Sequence, residues 1–326
     1  MKPTDDLTSF AEYAKQNNVT VWACNFERYG LTLPLTSDQT DEEVQLETED
    51  LLLNLVDLNY IPLPQYFLKY VQLEKRNYDL LGFDEIYYIN LDRRPKRRDA
   101  MEKKFEIARI GPLTRVPAVD GRDLNESYLI DNNIRQNEMF WSPVNGGKLT
   151  MGEIGCFLSH YKIWMDVIKK KHSKVLILED DFWFHSKFRL RVYKLHEEIR
   201  RLNLQWDTIA LARVNELDDE KLLAGSEYIL QPMFYQWMLA YMLSFEGAKK
   251  LLAPKPLSNM IPADLYITVL AGQLPMDFAW TYQNHNLLSY SSHPTFGYPV
   301  YIDGADSAFL SDTQERESVT EDLNDT

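Results

Sequence analysis

The chain is poor in cysteine: 326 residues contain two, Cys24 and Cys156. That excludes a disulfide scaffold and a cysteine zinc site. Cys156, inside a predicted helix, reads as a small buried hydrophobe. Positive charge is short too, with 35 Lys and Arg against 49 Asp and Glu and a formal charge of −14. So acidic a surface repels a phosphate backbone except at a local basic patch, which excludes general nucleic-acid binding. No apolar run approaches the roughly 20 residues of a membrane-spanning helix. The opening Met1-Lys-Pro-Thr-Asp-Asp6 lacks a signal-peptide profile, so the expectation is a cytosolic protein or part of a longer one. Glycines are not spaced as Gly-x-x-x-x-Gly-Lys-Ser/Thr or Gly-x-Gly-x-x-Gly, which removes P-loop and dinucleotide-binding readings.

What is present is a core. Hydrophobic residues make up 45% of the chain and aromatics 13%, enough for a large packed domain. The centre of the pattern is Lys174-Val-Leu-Ile-Leu-Glu-Asp-Asp-Phe182. Four apolar residues there run into Glu179, Asp180 and Asp181. A short unbroken apolar run reads as a strand buried on both faces, and ligands sit beyond the carboxyl ends of such strands. Three acids at that point repel one another unless a cation neutralises them, and oxygen ligands suit a hard divalent ion. The plain alternative is an ordinary acidic loop after a strand.

Glu85–Leu91 is a second buried-strand pattern, followed by Asp92-Arg-Arg-Pro-Lys-Arg-Arg98 and a helix to about Arg109. Pro95 suits the first helical turn. Cations there oppose the helix dipole, so Arg93, Arg94, Lys96, Arg97 and Arg98 need another reason to be present. An anion such as a diphosphate, met by guanidinium forks, supplies one; a solvated face with pairs such as Arg98–Glu102 is the bland reading. Arg115–Gly121 reads as a strand whose Asp120 makes a turn. Thr150-Met-Gly-Glu153 is a capping box opening a helix from Gly152 to Lys171. Ser159 and His160 lie beside that helix's apolar stripe, where a lone histidine is ordinarily structural. Further helices are expected at Lys187–Leu202 and Phe245–Leu252, and strands at Trp206–Arg213 and Trp237–Ser244. Asp264 opens another helix, where N-capping is its plainest role.

Alternating strands and helices predict an α/β domain, a mixed sheet with helices on both faces, over residues 81–312. Residues 1–80 read as a small N-terminal appendage, and 313–326 as an acidic disordered tail.

The segments Tyr88–Arg98, Ala118–Gly121, Leu149–Tyr161 and Leu178–Asp181 resemble, in order and spacing, glycosyltransferase family 25. That family includes bacterial lipooligosaccharide galactosyltransferases and animal procollagen galactosyltransferases. Leu239-Ala-Tyr241, Pro256–Asp264, His293-Pro294 and Ser311-Asp-Thr313 look like the animal branch. Residues 1–80 look like the end of that branch's upstream transferase-like domain.

The resemblance implies a GT-A-type, Rossmann-like fold. It also implies Mn²⁺, UDP-galactose as donor, hydroxylysine of a collagen-like protein as acceptor, and the endoplasmic reticulum lumen. The sequence shows neither a signal peptide nor a Lys-Asp-Glu-Leu-type tail. Carried over by residue, Glu179, Asp180 and Asp181 match the metal motif. Asn90, Arg93, Arg94 and Arg97 match the nucleotide-side motif, with Asp120 in the Val-Asp-Gly turn, and Ser159 and His160 the Leu-Ser-His helix. Asp264 matches the acid of a Pro-x-Asp-Glu motif in which Leu265 replaces the second acid, and is the expected catalytic base, with Asp306 and Asp312 as rivals. Leu265 keeps two alternatives in view: a non-catalytic relative serving as a binding or adhesion module, or a transferase acting on a glycan or lipid.

Overall fold

The central apolar run does form a strand. In the computed structural model, which describes residues 15–16, 78–141, 147–184, 187–213, 220–232, 238–273, 279–282 and 285–299, Val175 to Leu178 are fully buried. Burying each such side chain stabilises by roughly 1.5–3 kcal/mol, against about 1–2 kcal/mol to fix one residue's backbone. The run therefore favours its own ordering.

Elements follow in the expected alternation. Strand β1 (Glu85–Asn90) leads to helix α1 (Pro95–Ile107) and strand β2 (Thr114–Pro117). A short 3₁₀ turn (Gly121–Asp123) and helix α2 (Glu126–Asp131) precede the long helix α3 (Met151–Lys170). Strands β3 (Lys174–Glu179) and β4 (Phe182–Phe184) lead to helix α4 (Phe188–Arg201). Then come β5 (Thr208–Ala212), β6 (Ile229–Leu230), β7 (Ala240–Ser244), α5 (Phe245–Leu252) and α6 (Ala263–Leu270), and finally β8 (Ser289–Ser292) and β9 (Gly297–Pro299).

Seven strands form one mixed sheet in the order β2-β1-β3-β7-β5-β8-β6, and β4 pairs with β9 separately. β1 is parallel to both β2 and β3, whereas β7 runs antiparallel between β3 and β5. The chain thus leaves β1 to one side and returns on the other. The strand order reverses at β1, and the carboxyl ends of strands at such a point are the usual ligand position.

Strand alternation divides the core between the sheet faces. Tyr87, Ile89, Val175 and Ile177 pack with α3, α5 and α6 through Phe157, Trp164, Leu251 and Tyr266. Ile86, Tyr88, Leu176 and Leu178 pack with α1 and α4 through Met101, Phe105, Val192 and Leu195. The mixed sheet with helices on both faces is the expected α/β architecture. Of residues 1–80 only 15–16 and 78–80 are described, and Asp79 pairs with the main body through Gly111 N and Tyr193 Oη. The rest of the appendage, the acidic tail, Asp306 and Asp312 lie outside the described residues.

The start of α3 is pressed onto the turn after β2. Thr150 and Glu153 form the complete capping box. One turn further on, a Cβ on Gly155 would lie 2.5 Å from the Val119 carbonyl oxygen. Ser159 Oγ accepts from Val119 N at 2.8 Å and donates to Gly155 O at 2.7 Å. Gly155→Ala is therefore expected to lower stability by about 1–3 kcal/mol through forced separation of helix and turn. Urea unfolding checks this; an unchanged midpoint would show that the helix yields freely.

Candidate functional site

At the end of β1, Asn90 is almost completely buried and uses its whole amide. Its Nδ2 donates to Asp180 Oδ2 at 2.6 Å and to Arg94 O at 3.1 Å, and its Oδ1 accepts from Arg115 Nε at 3.0 Å. The side chain thereby ties the end of β1 to the acidic turn after β3 and to the start of α1.

Arg97 explains one of the misplaced cations. No acid lies in the first turn of α1, so the helix dipole does not favour this residue. Its guanidinium instead turns inward, with Nη1 3.1 Å from Asp180 Oδ1 and 3.9 Å from Asp181 Oδ2. Arg97 and Asp180 side chains are 7% and 10% exposed, so they meet where screening by water is weak. Arg93 is also spoken for: its Nε lies 2.5 Å from Asp120 Oδ2. Asp120 caps the 3₁₀ turn through Arg122 N as well, so its turn-making role and an ion pair coexist. Arg94 contributes its carbonyl to Asn90. Glu102 takes a 2.6 Å hydrogen bond from Tyr88 Oη across the α1 interface.

The three acids divide their work. Both oxygens of Asp180 are engaged, by Asn90 and Arg97. Asp181 Oδ1 is buried without a hydrogen-bond partner, a costly state for a carboxylate. Glu179 keeps 30% of its side chain exposed and places Oε1 3.2 Å from His160 Nε2. Burial pushes the Asp180 carboxyl up to about 6, against the pull of Arg97. Asp181 also rises to about 6, from burial and then the Glu179 charge. Glu179 rises to about 8, from desolvation of its carboxyl and then the charges of Asp180 and Asp264. The unpartnered Asp181 oxygen and these crowded carboxyls fit a hard divalent cation, with Asp181 and Glu179 its holders and Asp180 fixing the turn.

His160, on α3, touches Glu179 of β3 and Tyr241 of β7. Its Nδ1 is 3.1 Å from Tyr241 Oη, which also accepts from Trp164 Nε1 at 3.0 Å. Burial lowers the imidazole to about 3, keeping it neutral. Ser159, its neighbour, clamps the β2 turn. Asp264 occupies the first turn of α6, whose N-cap is Pro262, and its Oδ1 accepts from Leu265 N at 2.7 Å. It lies near enough for its charge to act on Glu179, His160 and Cys156. Asn90, Arg97, Asp180, Asp181, Glu179, His160 and Asp264 thus belong to one electrostatic unit. Arg93 with Asp120 and Ser159 form its flank. Tyr241 and Arg115 were not visible as members: only the tertiary pairing of β7 and β2 brings them in.

Because the folded Glu179 pKa of about 8 exceeds its ordinary 4.5, folding favours its protonated form. That stabilisation is complete below the ordinary value and is lost as pH rises through the folded one. His160, at about 3 when folded against 6.5 ordinarily, acts in the opposite sense at lower pH. Between about pH 7 and 8, chelator-treated protein should therefore lose melting temperature more steeply than Glu179→Gln. Parallel melting curves for the two proteins across that window would contradict the assignment.

The model of "Glycosyltransferase family 25 (LPS biosynthesis protein)" matches residues 83–267. A "Glycosyltransferase 25 family member" of Anopheles gambiae is 35% identical over 319 residues, covering 96% of this chain and 53% of that protein. "Procollagen galactosyltransferase 2" of Homo sapiens is 34% identical over 314 residues, 95% of this chain and 49% of that protein. "Probable inactive glycosyltransferase 25 family member 3" of Bos taurus is 36% identical over 321 residues, 96% and 52%. The chain spans about half the length of these relatives. The family match runs from β1 into α6, with the Arg97–Asp180 junction and Asp264 inside it, and the chain belongs to glycosyltransferase family 25.

Proposed function

We propose that this chain is a metal-dependent inverting glycosyltransferase that moves galactose from UDP-galactose to hydroxylysine of a collagen-like protein. The observation that carries the reading is the buried, unpartnered Asp181 oxygen beside Arg97, at the carboxyl ends of β1 and β3. Relatives named as procollagen galactosyltransferases support the donor and the acceptor. The reading takes Mn²⁺ as the ion and the endoplasmic reticulum lumen as the compartment, as the resemblance of the sequence motifs implies.

A divalent cation held by Asp181 and Glu179 supplies positive charge for a diphosphate leaving group. The chain's own residues do the rest. Asn90 and Arg97 hold the acidic turn in one position, so the carboxylates need little reorganisation. Arg94, at the opening of α1, offers a guanidinium fork to an anion. Asp264 accepts the proton of the incoming hydroxyl, as an inverting displacement requires of a carboxylate on the acceptor side. Its charge acts on Glu179, which supports that assignment.

One observation favours a second reading, a family member without transferase activity: Leu265, buried at 9% exposure, stands where an acid is expected. The bovine relative's name makes inactivity a real outcome within the family. Incubation with UDP-galactose, Mn²⁺ and a hydroxylysine-containing collagen peptide separates the readings. Galactosylated peptide supports the proposal, intact donor supports the inactive reading, and UDP release without transfer points to a glycan or lipid acceptor. By calorimetry, Asp181→Ala should lose Mn²⁺-dependent UDP binding. Asp264→Asn should keep that binding but lower transfer by about 10²–10⁴-fold. Normal UDP and Mn²⁺ binding by Asp181→Ala would overturn the metal assignment.

A further inference from the structure

The cysteine count spoke against any cysteine zinc site, but the fold revises that expectation for one with mixed ligands by bringing Cys156 together with His160 and Glu179. We propose that Cys156, His160 and Glu179 form a second site, sharing Glu179 with the first, for a thiophilic divalent cation, with zinc the best fit. The inference rests on these three residues and not on the transferase reading.

Cys156 and His160 are four residues apart on α3, which puts both side chains on one face of the helix. Glu179, at the end of β3, meets that face. One ligand atom from each residue lies within 4.8 Å of the other two, and His160 Nε2 is already 3.2 Å from Glu179 Oε1. Zinc bonds of about 2.0–2.3 Å to nitrogen, oxygen and sulfur require the three atoms to close further. That closure falls to the Cys156 and Glu179 side chains, since His160 is tied to Tyr241. Thiolate, imidazole and carboxylate form a borderline-soft set, suited to zinc rather than to magnesium or manganese.

The surroundings orient the imidazole. Ligation through Nε2 requires the ring proton on Nδ1, and Tyr241 Oη is there at 3.1 Å to accept it. Tyr241 is itself fixed by the Trp164 Nε1 hydrogen bond. This is the arrangement by which metal-bound histidines are held in one tautomer and orientation. Cys156 is not in a disulfide and lies among the negative charges of Glu179, Asp264, Glu153 and Asp181, which attract a cation. On binding, the thiol proton leaves to solvent as the sulfur–metal bond forms. Three protein ligands leave a fourth position, on the side where Glu179 is exposed. Because Glu179 serves both cations, occupation here removes it from the Asp181 site.

The test uses the whole 326-residue chain, reduced, with Co²⁺ as the spectroscopic probe for zinc. Expected are a thiolate-to-cobalt charge-transfer band that stoichiometric Zn²⁺ abolishes, and loss of that band in Cys156→Ala. Tyr241→Phe should weaken Co²⁺ binding by about 10–100-fold. A wild-type measurement guards against misfolded variants: Zn²⁺ but not Mg²⁺ should slow alkylation of Cys156, followed by peptide mass spectrometry. The proposal is overturned by absence of the band, by its persistence in folded Cys156→Ala, or by an alkylation rate that Zn²⁺ leaves unchanged. Failure here leaves the sugar-transfer experiment unaffected, and failure of sugar transfer leaves the cobalt result standing.

Discussion

The contact between Arg97 and Asp180 organises the functional end of this molecule. It joins the first turn of α1 to the turn after β3, with Asn90 completing the junction from β1. Such a pair is not a source of large net stability, because both ions lose their water. Losing one partner is another matter, costing about 3–5 kcal/mol when a buried charge is left alone. The junction is accordingly a device for position. It decides where Asp181 and Glu179 stand, and it holds charge of both signs in a poorly screened place.

The antiparallel strand β7 gives the site its other wall. Glu179 N donates to Leu239 O at 2.9 Å, extending the pairing of β3 and β7 beyond the strand itself. In that register Tyr241 lies opposite Ile177, with its hydroxyl reaching His160 and Trp164. A phenol, an imidazole and an indole therefore meet inside an otherwise apolar layer. Each polar atom has a partner, as buried polar atoms require. Buried Lys104 donates to Phe182 O at 3.0 Å and steadies the far side of the acidic turn.

Much of this was readable before any coordinates. The run Val175–Leu178 and its three acids stand out because a doubly buried strand needs continuous apolar residues and ligands gather at its end. The helix from Thr150 announced itself through its capping box. The cations after β1 were rightly out of place, but their destination was not legible: Arg97 turns toward the protein's own acids, a choice made by packing across the sheet. Cys156 read as a plain hydrophobe because its nearness to Glu179 depends on how α3 lies on β3. The strand order was equally hidden, since Ala240–Ser244 is apolar in either direction and only tertiary pairing inserts it antiparallel. Asp264 looked like a cap, yet the cap position falls to Pro262 and the carboxylate bears on Glu179.

The clamp made by Ser159 acquires its meaning from the residue beside it. Ser159 grips the backbone of the turn that carries Asp120, and His160 touches Glu179 on the neighbouring strand. Both hang from consecutive positions of one 20-residue helix, a rod too stiff to bend over a single peptide unit. A tilt of that rod displaces both loops together, like the two jaws of a calliper. The arginine-bearing rim and the acidic rim in this way hang from one support.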